Sequence, residues 1–219
     1  MCSSCYNFRT MSPPPDSITD HESEIGNVRR GRPVSPPHEL LAAADDLFAK
    51  ADAPARITMD SIAASAGVGK ATLFRAFGNR DGLLDALWAL KLAPVVEAVE
   101  AEAGLVRRQS DPLERAITFL DALLRFKLGH RHLIRAREIS PGLLQSPRYQ
   151  WMHAVLCEAI GQAAPDASSA RCVHAAHTLL AGLHIDLIEE MLTSGLTIET
   201  LTQAQADHVR AVITGLRSS

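Results

Sequence analysis

The sequence predicts an all-α fold, and three observations carry that expectation. Apolar residues recur at spacings of three and four along most of the chain, as in Leu40, Leu41, Ala44, Leu47 and Phe48. Such runs are preceded by capping residues or proline and followed by Gly or Pro-Gly. No stretch alternates with a period of two, and no hairpin turn separates two apolar runs.

Of 219 residues, 47% are hydrophobic, enough for a sizeable core, and no apolar run approaches a membrane span. The N-terminus lacks the basic-then-apolar pattern of a signal peptide, so a cytoplasmic protein is expected. Four cysteines in a chain this long do not suggest a disulfide framework. Residues 1–27 are acidic, carry Pro13 to Pro15 and lack apolar periodicity, and read as a disordered tail. Cys2 and Cys5 have ligand spacing but no second pair nearby, and Met11 is an alternative start. The net charge is −3, yet residues 28–91 hold nine Lys or Arg against seven Asp or Glu, the one section with a positive surplus.

The elements follow in order. Ser35 and Pro36 open a first helix that runs to about Asp52, with Pro54 in the loop after it. Thr58 caps a short second helix, which Gly67 ends near Ala66. A third short helix runs from Gly69 or Lys70 to Phe77 and stops at Gly78, and Asn79 is placed to cap a fourth. That fourth helix carries Leu83, Leu84, Leu87, Trp88 and Leu92, and reaches about Gly104 past a kink expected at Pro94. Asp111-Pro112 starts a fifth, with Gly129 as its stop, and a shorter one follows to about Ile139 before Pro141-Gly142. The remaining helices are expected at 147–163, as one long helix at 166–193, and at 198–215.

The stretch "AGVGKATLFRAF", residues 66–77, invites a phosphate-binding reading. A nucleotide P-loop is excluded, because Ala64 stands where its first glycine belongs and Ala71 where its hydroxyl belongs. The preceding residues are also helical rather than a buried strand. The 20 residues from Met59 to Gly78 instead meet the demands of a helix-turn-helix. Ala63 is small where two helices cross, Gly67 permits a left-handed turn, and Ile62, Ala66, Val68, Leu73 and Ala76 supply apolar contacts.

"ITMDSIAASAGVGKATLFRAFGNRDGLL" resembles the DNA-binding domain of TetR-family transcriptional regulators, and "RRGRP" at 29–33 resembles their basic lead-in. LacI-like regulators share part of the pattern but place it at the extreme N-terminus and continue into an α/β domain, for which nothing here speaks. The resemblance covers about residues 28–90, and implies a DNA-binding domain at 28–80 followed by an effector-binding and dimerisation domain at 81–219. It implies that the third helix enters the major groove, with Gly69, Lys70 and Ala71 at or near the bases. Thr58, Thr72, Arg75 and Arg80 would then contact phosphates, and Arg29, Arg30 and Arg32 would form an arm along the minor groove or backbone. Phe74 replaces the usual Tyr, losing a hydroxyl but keeping a ring that packs against sugar, and Ala76 replaces a larger residue.

The C-terminal half is too apolar to be a tail. Val173, Leu180, Leu183, Leu187 and Met191 would stripe the long helix, and Ile198, Leu201, Val209, Val212 and Leu216 the last. Two such helices per chain would build a four-helix homodimer interface, although an intramolecular core would show the same stripes. Trp88, Phe119, Phe126, Trp151, Met152, Leu156 and His177 are the candidate lining of a pocket for a small, apolar effector. These expectations combine as a repressor released from a palindromic operator in double-stranded DNA, with an activator on the same scaffold as the alternative. His174, His177 and His184, with His153, Cys157 and Cys172, offer a second alternative, a metal-responsive regulator. No cofactor is expected, no membrane partner, and no enzyme, since the sequence contains no G-x-S-x-G, H-E-x-x-H or dinucleotide fingerprint.

Overall fold

A computed structural model of the chain describes residues 37–51, 53–104, 111–138 and 142–218. The acidic tail, Cys2 and Cys5, the arm of Arg29, Arg30 and Arg32, and Ser35-Pro36 lie outside the described residues. Among those described, the helices are α1 (Pro37–Ala49), α2 (Met59–Ser65), α3 (Lys70–Phe77), α4 (Arg80–Gly104) and α5 (Pro112–Gly129). They continue with α6 (Arg131–Glu138), α7 (Pro147–Ala163), α8 (Ser169–Ala181), α9 (Ile185–Thr193) and α10 (Ile198–Arg217). Short 3-10 turns at Pro54–Arg56 and Leu143–Gln145 complete the set, and no strand occurs among the described residues. The all-α expectation therefore holds.

The helices form where apolar spacing and caps coincide. In α1, Leu40, Ala44 and Phe48 recur every fourth residue and are buried on one face. Asp111 caps α5 by accepting the Leu113 amide at 3.0 Å, and Thr197 caps α10 by accepting the Thr200 amide at 3.1 Å. Pro112 and Pro147 occupy first turns, where a missing N–H costs nothing. The helix α4 runs on through Pro94 to Gly104. The helices α5, α7, α8 and α10 pack on one another, while α6 touches α1, α4, α5 and α9 and the turn at 54–56. Residues 35–219 belong to one compact unit.

One expectation fails. The single long helix at 166–193 is two helices, α8 and α9, separated at Gly182–His184. Apolar spacing runs unbroken through Leu180, Leu183 and Leu187, so periodicity gave no sign of the break. Its cause lies elsewhere in the chain. Lys127 on α5 donates to the carbonyl of Leu183 at 2.6 Å and pairs with Glu138 on α6. The other carboxylate oxygen of Glu138 accepts the Ile185 amide at 2.8 Å, so the ion pair takes up backbone groups that a continuous helix would have satisfied itself.

Candidate nucleic-acid interface

The turn between α2 and α3 is fixed at both ends. Thr58 Oγ1 accepts the Ser61 amide at 3.2 Å, and Ser61 Oγ accepts the Thr58 amide at 3.0 Å, a reciprocal cap on α2. After α2, Gly67 has φ +64°, where a side chain would be strained. The Val68 amide then donates back to Ala63 at 3.0 Å, and the buried Ile62, Ala63 and Leu73 hold α2 against α3.

This arrangement leaves one face of α3 to solvent. Lys70, Ala71, Phe74 and Arg75 are exposed, Thr72 is half-buried, and Gly69 and Thr58 are exposed at the openings of α3 and α2. Lys70 Nζ lies 2.7 Å from Asp60 on α2 and 5.6 Å from the centre of the Phe74 ring. The one long basic group at the start of α3 is thus held between an acid and an aromatic face. The sequence reading did not single out Asp60.

Arg80 departs from its expected role as a phosphate contact. Its guanidinium donates to the carbonyls of Ile57 at 2.8 Å, Pro54 at 3.0 Å and Ala136 at 3.4 Å, and lies over the Phe48 ring. The carbonyl of Pro54 also accepts the Ile57 amide at 3.2 Å, so Arg80 adds a second bond there, and burial lowers its pKa. Asn79 caps α4 as expected, accepting the Gly82 amide at 2.8 Å. Gly82 itself was missed: a Cβ there would stand 2.2 Å from the Phe77 carbonyl oxygen. Its only sequence signal is a helix-disfavoured residue in a first turn.

Behind this face, Asp85 on α4 joins the helices of the C-terminal half. It accepts from Arg137 Nε on α6 at 2.9 Å and from Arg148 Nη1 on α7 at 2.8 Å. Arg148 also donates to the Asp85 carbonyl. On the far side of α6, His132 Nε2 lies 3.1 Å from Asp45 on α1, which also pairs with Lys91 at 2.6 Å. Burial works to raise the Asp45 pKa, but the bonds from Lys91 and His132 bring it below the usual carboxylate range.

A cavity of about 260 Å³ lies between α4, α5 and α7, lined by Pro94, Val95, Val99, Phe119, Ala122, Val155 and Ala159 together with Arg115 and Glu158. Of the candidate effector residues, Phe119 lines it, and Trp151 packs edge-on against Phe119 at 5.7 Å. Trp88, Phe126, Met152 and Leu156 are buried among their neighbours, and Trp88 sits 6.0 Å from Phe126. His177 lies away from the cavity, exposed on α8, with Nδ1 2.7 Å from the Tyr149 hydroxyl and its ring 4.0 Å from that of His153. Burial, then the nearby His153 and His174, hold its pKa below the ordinary value. Among the described residues no group of three His, Cys, Asp or Glu is placed to hold a metal ion.

The residues expected to face a partner divide. Leu180, Leu183, Leu201, Val209 and Leu216 are buried within the protomer, and Met191 and Val212 are half-buried. Val173 and Leu187 are exposed, as is Ile198. A stripe that packs inward has the same spacing as one that packs outward, so sequence could not separate the two.

A capped helix, a glycine turn and a second helix with a basic exposed face define a helix-turn-helix DNA-binding protein. Residues 40–87 match the family of bacterial regulatory proteins known as the tetR family. Over those residues the chain is similar to the DNA-binding domain of that family, as the resemblance implied. A TetR-like transcriptional regulator from Rhodococcus sp. RHA1 superposes with a TM-score of 0.54 at 20% identity, over 83% of this chain and 96% of its own. A TetR transcriptional regulator from the same organism gives 0.52 at 19% identity, over 82% and 94%. A third Rhodococcus sp. RHA1 protein, of unknown function, gives 0.57 at 22% identity, over 88% and 100%. These likenesses speak to the fold. No curated protein matches the chain. No helix among the described residues is long and apolar enough to cross a membrane.

Proposed function

We propose that the chain is a ligand-responsive repressor that binds a palindromic operator as a homodimer in the cytoplasm, and that a small apolar effector releases it. The observation that carries this reading is the exposed α3 face, where Lys70, Phe74 and Arg75 project from a helix held by the capped α2 and the Gly67 turn. Lys70 reaches guanine acceptors or a phosphate, and Gly69 and Ala71 keep the backbone close to the bases. Thr58, Thr72 and Arg75 set the register on phosphates, with the Arg29, Arg30 and Arg32 arm beyond them.

Control of binding follows from the length of α4. The same helix that opens beside α3 passes the cavity at Pro94 and Val95, so an effector seated there acts on the spacing of two recognition helices. Val173, Leu187 and Ile198 supply exposed apolar surface on α8, α9 and α10 for the partner protomer.

The test is binding of the purified protein to DNA upstream of its own gene, over a salt series and beside Lys70→Ala. Saturable, sequence-selective binding that weakens steeply with salt supports the reading. Lys70→Ala then costs about 1–3 kcal/mol if Lys70 reads a base. Weak binding indifferent to sequence across a genome-wide selection of sites would overturn it. In a reporter strain, deleting the gene should raise transcription from its operator; a fall would make the chain an activator.

A further inference from the structure

The junction at Asp85 has an imbalance of charge. Two guanidiniums share one carboxylate, and both are withdrawn from solvent, with Arg137 only 3% exposed. Arg137 Nη1 and Arg148 Nε are buried and have no hydrogen-bond partner. Trp88, one turn beyond Asp85 on the same face of α4, is 2% exposed and its indole N–H also lacks an acceptor. Buried donors without acceptors are costly, and an uncompensated buried guanidinium more so. The charges acting on Arg148 are Asp85, which favours its protonated form, and Arg137, which opposes it. Three unused donors and one surplus positive charge are the complement of an oxyanion, and two guanidiniums hold a carboxylate well.

The position suits a ligand of a definite shape. Arg148 stands seven residues, about 10 Å along α7, before Val155, one of the residues that line the apolar cavity. From Asp85 to Val95 along α4 is ten residues, about 15 Å, toward the same cavity. We propose that Arg137 and Arg148 receive the head group of a monocarboxylate effector, which takes over from Asp85 and lays its apolar tail toward the cavity bounded by Val95, Phe119 and Val155. This inference rests on the effector-controlled reading above and gives that effector its chemical class. It also supplies the coupling. Asp85 is five residues beyond Arg80, so releasing it from α6 and α7 frees the segment of α4 that carries α3.

The probes are decanoate and 1-decanol, titrated calorimetrically into the full chain, with tryptophan fluorescence followed in parallel. Decanoate should bind at least tenfold more tightly than decanol, and Arg148→Met should bring the two together. Asp85→Asn should tighten decanoate several-fold and leave decanol unchanged, because it removes the competing carboxylate. A purely structural Asp85 would instead give a lower melting temperature and no gain in decanoate binding. Equal binding of the two probes in the parent and in both variants overturns the carboxylate site while leaving the apolar effector reading intact. Failure of both probes to bind overturns the two together. Decanoate binding with no response to decanol supports the head-group site, as the extreme of the expected preference.

Discussion

Glu138 caps α9 from the end of α6, its Oε2 accepting the Ile185 amide at 2.8 Å. Its other oxygen pairs with Lys127, which is 7% exposed and bonded to the Leu183 carbonyl. Glu138→Gln would leave the Lys127 ammonium buried without a counter-charge. The expected loss is about 3–5 kcal/mol in urea denaturation. Parent-like stability would mean that water reaches the pair.

Asp60 holds Lys70 in the free protein, and any guanine or phosphate must share that ammonium with it. Both side chains are more than half exposed, so the pair is weak. Asp60→Asn should therefore raise affinity for nonspecific DNA by about two- to fivefold, the range of a surface ion pair. Discrimination between operator and random duplex should narrow at the same time. Fluorescence anisotropy on the two duplexes checks both, and an unchanged ratio would mean Asp60 plays no part in selection.

Gly82 answers a steric demand, since a Cβ would lie 2.2 Å from the Phe77 carbonyl oxygen. Gly82→Ala forces that backbone apart and should cost about 1–3 kcal/mol. Gly129 is the internal control, because a Cβ there meets nothing within 4 Å. Its replacement by Ala in the last turn of α5 should be neutral or stabilise by up to about 1 kcal/mol. Thermal melts of the two variants should move in opposite senses, or one should not move.

Acid should weaken the fold before any carboxylate titrates. Burial, then the ammonium of Lys91, hold His130 below its ordinary value of 6.5, with Asp45 opposing. As pH falls through 6.5, the unfolded chain takes up this proton before the folded one does, so stability declines. His177 adds to the same slope. Asp45 acts in a lower window: its depressed pKa stabilises the fold at neutral pH and loses that contribution as pH falls through the folded value. Melting temperature should drop between pH 7 and 5, and His130→Asn should flatten that slope. A parent curve flat over this range would show that His130 is as free to protonate folded as unfolded.

What the sequence disclosed and what it hid divide by the reach of the interactions. Thr58, Gly67, Gly78 and Asn79 act within a few residues of themselves, so the cap, turn and stop of the helix-turn-helix were legible. The break at Gly182–His184 depends on Lys127 and Glu138, and the fate of Arg80 on carbonyls at Pro54, Ile57 and Ala136. Nothing near either position announces such partners. The dimer stripe and the pocket lining were legible only in part for a different reason: Leu183 and Val209 carry the same spacing whether they face their own core or another chain.

Arg80 bears on how such a protein could be taken apart. Its fork reaches back to Pro54 and Ile57 and forward to Ala136, fifty-six residues downstream. A reading head excised near residue 90 would keep the backward bonds and lose the forward one, along with the Asp45–His132 bridge. Grafting that head onto a foreign sensor would require a helix that presents a terminal carbonyl and an imidazole at the same places. The unit of portability in this chain is therefore α1 to α6, with α5 and α6 carried along beside the helix-turn-helix.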